Sequence, residues 1–503
     1  MSVSSAKPAA IAAAALLLLC SISATAQVVV APQNDAARAV GDDPLRTREP
    51  SSGGLTQYGS GEGAGAMDQK ASGFAPSIWR DSKPEVLGEL LHRLPVETRS
   101  SAVHDIARRL LAMAAPPPTT HPGFLRVRVE TLMAMGELSH VADMARAAGA
   151  SADEHTSRMA VDAQFAIGRS EAACLDVLAV GPKNGGEFWS RALNYCRAVL
   201  GQGGAETLPY GQEIKTEAAR ASAIARNPKQ PLDARITAAV HAAQYNAIPA
   251  TLLGELMKRT GRGDRSAALG DGPLPHEPTA AVALWHVIDD VKDPTAKAEL
   301  LRQVLRRADH IDNYVVSLVD TFRSPPMMFE PKPTGPDDPA FPRPADSARS
   351  VANLVARGFF TAGDSAMAQD WAKLGKGQGD AQQVAPFLAA IGSEETRKAA
   401  KFDQPLVRAA LRGLDRGAAG REDVSGDGYL PPIADMTALD EAAQMGRVGE
   451  TVLRALIVLG PEGPAAASPL AVNRAIAALR AVNQRDEAEA IAFEAIAAGI
   501  RGK

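Results

Sequence analysis

Three places in this chain carry residue types at spacings that chemistry uses. Asp289-Asp290-Val291-Lys292-Asp293 sets three carboxylates on a helical segment, and hard anionic oxygens are what magnesium demands of its ligands. A magnesium–diphosphate site also needs a second acidic cluster facing the first, and none is evident. Asp293 precedes Pro294, which reads as a helix cap followed by proline in the first turn. Asp423-Val424-Ser425-Gly426-Asp427-Gly428-Tyr429 follows the first seven positions of a calcium loop, with side-chain oxygens at one, three and five and glycine at six. Position twelve is Ala434, where a bidentate glutamate belongs, and Pro431-Pro432 intervenes. A solvated Asp/Gly turn is the plainer reading; whether the loop takes calcium stays open. The third place is the pair Cys174 and Cys196, which without a local histidine or carboxylate cluster makes a poor zinc site.

Nucleophile arrangements are missing. The chain has no G-x-S-x-G turn and no H-E-x-x-H helix. Its 9 histidines are scattered singly, and His104, His241 and His286 read as packed or half-exposed helix residues. Arg262-Gly263-Asp264 matches an adhesion tripeptide of common residues and carries no weight. The run Gly59 to Gly65 looks like a phosphate loop but has no strand before it or helix after it. The expectation is a protein that is not an enzyme, with no catalytic, cofactor-binding or metal residues.

The elements that would position any site are bounded by composition. The 503 residues are 46% hydrophobic and 22% charged, ordinary globular values that exclude a wholly disordered or fibrous chain. Aromatics are 4%, which leaves few platforms for stacking bases or sugars and implies a core of small aliphatic side chains. The net charge of −4 lacks the positive excess that displaces counterions from nucleic acid, so no nucleic-acid partner is expected.

The first residues read as an export signal. Lys7 supplies a positive start, Ala9 to Leu19 an apolar stretch, and Ala24-Thr25-Ala26 a cleavage site before Gln27. The apolar stretch is shorter than the ~20 residues of a spanning helix, and no later stretch is long and apolar enough to cross a bilayer. The mature chain is therefore expected to be periplasmic, without a transmembrane segment. Lipidation at Cys20 is the weaker alternative, because the residue before a lipoprotein cysteine is normally small and here it is Leu19.

Beyond residues 1–26, residues 27–75 read as a disordered tether, with Ser51-Ser52-Gly53-Gly54 and the Gly59–Gly65 run. From Pro76 the pattern is helix upon helix. Val86, Leu87, Leu90, Leu91 and Leu94 make one apolar stripe, and Val103, Ile106, Ala107, Leu110 and Leu111 a second. These predict a helical hairpin over 76–122, closed by Pro116-Pro117-Pro118. Helical patterns continue over 123–322, one of them spanning 231–260; a Pro-rich loop occupies 323–346; and further helices fill 347–503, one of them spanning 382–414. Alternating strand patterns are hard to find, so the fold is expected to be all-α.

Gly136, Gly168 and Gly201 each follow a helical pattern and lie 32 and 33 residues apart. Ala352, Ala356, Phe359, Gly363, Ala368 and Ala372 form a later unit, and Gly446 and Asn483 mark a terminal pair. On these residues about half of the mature chain resembles the tetratricopeptide repeat family, whose units are helical hairpins of about 34 residues. The resemblance implies an irregular α-solenoid of TPR-like hairpins. Exported lytic transglycosylases also carry an α-superhelical region, but no lysozyme-like segment with a glutamate before a serine is visible here, so the likeness is to their non-catalytic part.

In register with those turns, Cys174 falls in the second helix of one hairpin and Cys196 in the first helix of the next. Stacked hairpins make these helices neighbours, and an exported chain favours an oxidised pair, so a Cys174–Cys196 disulfide is expected. Stacked hairpins also build a broad concave surface. The expected function is an envelope scaffold that binds a protein or peptide, without a cofactor. The alternatives are a glycan-binding or peptidoglycan-acting protein with a site assembled across helices, and a plain structural spacer.

Overall fold

Seven helix C-termini share one hydrogen-bonding pattern. At Gly136, the turn residue has φ +83°; its N–H donates to the Met133 carbonyl, and the next N–H, of Glu137, donates to Leu132. The same pair of bonds, to the third and fifth residues back, recurs at Gly168, Gly201, Asn246, Gly363, Gly446 and Asn483. All six have positive φ, between 57° and 86°. This is the Schellman closure of a helix, which needs one residue in the left-handed region. Glycine adopts that region without cost and asparagine is the next most tolerant, which is why these positions carry only those two types.

The computed structural model describes residues 61–118, 123–204, 211–259, 298, 344–415 and 426–501, all within the unit Pro44–Lys503. The described residues form helices and no strands, with isolated bridges at Met67–Met113 and Tyr429–Ala467. An N-terminal group comprises α1 (Gln69–Ser72), α2 (Pro84–Arg93) and α3 (Ser101–Ala112). A first array follows as α4 (Phe124–Ala134), α5 (Leu138–Ala148), α6 (Glu154–Ala166), α7 (Ser170–Val180) and α8 (Glu187–Val199). Next come α9 (Glu217–Arg226), α10 (Leu232–Gln244) and α11 (Ala250–Arg259). The C-terminal part begins with α12 (Pro344–Thr361), α13 (Ser365–Leu374), α14 (Ala385–Ile391), α15 (Glu394–Ala399) and α16 (Pro405–Leu414). It ends with α17 (Ile433–Gln444), α18 (Val448–Val458), α19 (Pro469–Ala481) and α20 (Arg485–Arg501).

Local sequence accounts for many helix starts. Ser100, Asp153, Thr216, Asp364, Ser393 and Ser468 each accept, on the side chain, the backbone N–H three residues on. Alanine lines most helix contacts and allows close approach, while Trp79, Trp189 and Trp371 are fully buried. Trp79 stands edge-on to Phe124 with ring centres 5.4 Å apart, and Phe360, Phe387 and Phe493 form a second aromatic knot.

The α2–α3 pair packs on two sides. It meets α4 of the first array, and it also meets α18 and α20. Arg93 pairs with Asp435 at 2.6 Å, Arg109 with Glu487 at 3.0 Å, and the Gly449 N–H donates to the Ile78 carbonyl at 2.9 Å. Burial would raise the Asp105 carboxyl, but Arg109 and Arg108 hold it well below the usual carboxylate range. The C-terminal helices, the α2–α3 pair and the first array thus form one continuous packed core.

Several boundaries differ from the sequence expectation. Part of the expected tether, 61–75, is packed: Phe74 is fully buried, and Glu62 accepts the N–H groups of Gly123 and Leu125. Glycine serves close approach there, since a Cβ at Gly65 would lie 2.2 Å from Ala114 N. The helical pattern at 231–260 divides at Asn246 into α10 and α11, and that at 382–414 divides into α14, α15 and α16. The signal region with Cys20, the tether to residue 60, Arg262–Asp264, His286, Asp289–Asp293, the Pro-rich stretch to 343 and Asp423–Ser425 lie outside the described residues.

Candidate functional site

Cys174 on α7 and Cys196 on α8 meet as their register requires, at disulfide distance with Cα atoms 5.3 Å apart. They sit in a small core of their own with Val161, Phe165, Val177, Trp189, Ala192 and Tyr195. Of the calcium-like loop, Gly426 to Tyr429 are described. The Tyr429 carbonyl, which a calcium loop would offer as its seventh-position ligand, accepts the Ser468 N–H at 2.8 Å. Among the described residues no group of three or more His, Cys, Asp or Glu is arranged to hold a metal ion.

Burial brings together one titratable cluster that the sequence does not announce. Glu137 follows the Gly136 turn, and its two carboxylate oxygens meet His104 Nε2 of α3 at 3.1 Å and His140 Nδ1 of α5 at 2.9 Å. Burial pushes the Glu137 carboxyl up, yet the two imidazole hydrogen bonds hold it well below its usual range. Burial lowers the nearby Arg226, and Glu137 works against that. Arg226 Nε reaches Ser222 Oγ at 3.2 Å, and that hydroxyl lies 2.9 Å from the Gly136 carbonyl and 3.1 Å from that of Ala247. Both imidazoles spend a nitrogen on the same carboxylate, and His104 Nδ1 is enclosed without a partner among the described residues. The cluster ties α3, the Gly136 turn and α5 together.

Two other polar centres are likewise internal. Arg128 is fully buried and donates to the carbonyls of Leu111, Ala64 and Met113; burial pulls its pKa down to about 9, with Glu62 opposing. Glu450 is clamped between Arg447 at 3.0 Å and Arg454 at 2.9 Å. Ser170 Oγ lies 3.1 Å from Lys229 Nζ and 3.5 Å from the Tyr195 hydroxyl. A serine–lysine dyad needs a desolvated lysine as base, whereas Lys229 is exposed and Ser170 is buried. His241 pairs with Glu217 at the surface.

Among the described residues, a few large apolar side chains stand exposed, and three of them are neighbours. Tyr429, Leu430 and Ile433 are 43%, 60% and 76% exposed within five residues. The segment is fixed: Tyr429 N–H donates to the Ala466 carbonyl at 2.8 Å, its carbonyl is held by Ser468, and its ring lies against Gly460. Pro431 and Pro432 stiffen the entry into α17, where Pro432 stands at the cap. The Arg93–Asp435 pair forms a charged rim beside it. These three side chains expose on the order of 300 Å², the scale of the largest apolar patch on a typical monomer. No described helix is long and apolar enough to cross a membrane. Compared with known protein families, with characterised proteins and with solved structures, the chain matches none.

Proposed function

We propose that this is an exported, periplasmic helical-repeat scaffold that binds a protein or peptide partner of the bacterial cell envelope. The observation that carries this reading is the rigid apolar patch of Tyr429, Leu430 and Ile433. Three neighbouring large apolar side chains left in water cost free energy that a partner's apolar surface would recover, about 25 cal/mol per Å² covered. Leucine and isoleucine offer no hydrogen bonds to sugar hydroxyls, so the patch suits protein better than glycan. The recurring Schellman corners support an irregular TPR-like α-solenoid, in which short hairpins stack to display such a surface. The Cys174–Cys196 pair suits an oxidising compartment, in line with the signal-like residues 1–26.

The test is purification of the chain from chemically crosslinked envelopes, beside an Ile433→Asp variant. The reading expects an envelope protein recovered with the native chain and lost with the variant. Recovery of glycan strands in its place, equally from both, would replace the scaffold reading with a peptidoglycan-binding one.

A further inference from the structure

The corner between α17 and α18 is built around one guanidinium. Arg447, the cap residue of α18, donates from Nη1 to the Glu450 carboxylate at 3.0 Å. Its Nη2 is shared between the Glu441 carboxylate at 3.2 Å and the Met445 sulfur at 3.0 Å. Its Nε is enclosed and has no hydrogen-bond partner among the described residues. Glu450 is buried, whereas Glu441 and Met445 stand in water. Arg447 therefore neutralises an interior carboxylate while leaning outward on two exposed acceptors, one of them a thioether, which accepts only weakly. Met445 also stands apart from the other methionines. It is 64% exposed, whereas Met113, Met133, Met144 and Met436 are buried and Met367 is half-buried. It caps the end of α17, next to Gly446 in the left-handed corner. A core methionine that gains an oxygen disrupts its packing; Met445 has water on one side and a charged donor on the other.

We infer that Met445 is an oxidation site whose sulfoxide tightens the α17–α18 corner through Arg447. The co-reactant is a two-electron oxidant of the peroxide class. A sulfur lone pair attacks one peroxide oxygen, the O–O bond breaks, and the departing hydroxide takes the proton left on the transferred oxygen, giving water. Sulfur is oxidised by two electrons and the peroxide is reduced by the same two. The product carries a polar S=O oxygen where the thioether offered a weak acceptor. The side chain is unbranched and flexible, so a turn about its terminal bonds brings that oxygen to Nη2. A hydrogen bond from an ionised donor to such an oxygen is a strong one. Arg447 joins the end of α17 to the start of α18: its N–H donates to the Ala442 carbonyl, and its own carbonyl accepts the Thr451 N–H. A firmer hold on its guanidinium therefore restrains both helices.

The test treats the folded, full-length chain with dilute hydrogen peroxide, followed by peptide mass spectrometry and amide exchange. One added oxygen is expected on the Met445 peptide, about tenfold or more faster than on the peptides of buried Met133 and Met436. Exchange over residues 441–452 is expected to slow by about threefold to tenfold once Met445 is oxidised, the effect of one stronger hydrogen bond. Met445→Leu, which keeps the volume and removes the acceptor, should abolish that response to peroxide. Met445→Gln, which places an amide oxygen at similar reach, should slow the same amides without peroxide. Both substitutions lie at an exposed position and leave the helical circular dichroism unchanged. Oxidation of Met445 no faster than that of the buried methionines overturns the site. Exchange that is unchanged or faster after oxidation, or that responds equally in Met445→Leu, overturns the part given to Arg447. The result is independent of the Tyr429–Ile433 patch and of its partner.

Discussion

The Glu494 carboxylate accepts hydrogen bonds from the Ser100 hydroxyl at 2.8 Å and the Ala102 N–H at 3.0 Å. Glu494 belongs to α20 and Ser100 caps α3, so a side chain 394 positions further along completes that cap. A negative charge is favoured there by the exposed N–H groups at the start of a helix. The α2–α3 pair is consequently a wedge between the first array and the C-terminal helices rather than a free leading hairpin. Replacing Glu494 with Ala leaves those donors with a weaker cap. The expected loss is about 1–2 kcal/mol, read as a lower denaturation midpoint, with faster amide exchange in both α3 and α20.

Gly449 meets the segment that leads into that wedge. A Cβ there would lie 2.6 Å from Trp79 Cε3 and 2.7 Å from the Ile78 carbonyl. Gly449→Ala therefore forces Trp79 or α18 to move and costs about 1–3 kcal/mol, although alanine is the better helix former. Near-ultraviolet circular dichroism, to which the buried Trp79 ring contributes, changes with it.

The Glu137 cluster gives the fold an acid limit. Its carboxyl is held well below the usual range when folded and returns to about 4.3 when unfolded. The stabilisation is complete above the unfolded value and is lost as pH falls through the folded one. The facing groups are His104, His140 and Arg226. Stability should fall steadily below about pH 4.3. Glu137→Gln should cost about 3 kcal/mol at neutral pH and flatten that acid limb, because it removes the charge the imidazoles satisfy. Urea unfolding at a series of pH values measures both effects.

The cysteine pair stabilises a local unit. Cys174 and Cys196 enclose 22 residues of sequence separation, for which loop closure gives about 3 kcal/mol. Because their core is separate from the main one, Cys174→Ser with Cys196→Ser should speed amide exchange over α7 and α8 and leave α18 to α20 unchanged. Peptide mapping without reductant should recover the linked pair from exported protein. Two freely alkylated thiols would contradict it.

Much of the helical framework was legible because its punctuation is chemical. A left-handed corner admits few residues, so Gly136, Gly168, Gly201, Gly363 and Gly446 announce helix ends, and with them the meeting of Cys174 and Cys196. Asn246 closes the same corner without standing out, since asparagine is common in other settings, and the helices on either side of it read as one. Residues 61–75 looked like a tether because their partners lie elsewhere: Arg128 takes the Ala64 carbonyl, and Glu62 caps α4. The contacts of Glu137 with His104 and of Trp79 with Gly449 join separate segments of chain, and no local pattern encodes them. The Tyr429–Ile433 patch was hidden for a similar reason: it sat in a stretch whose aspartates and glycines suggested calcium, while its order comes from Ala466 and Ser468.

The central claim, a partner protein seated on the Tyr429–Ile433 patch, is tested most directly by photocrosslinking in living cells. A benzophenone amino acid placed at Ile433, with a control at exposed Lys373 on α13, reports what lies within a side chain's reach. The account predicts one discrete adduct with an envelope protein from position 433, none from position 373, and loss of the adduct when Leu430 becomes Asp. No adduct from position 433, or the same adduct from both positions, would contradict it.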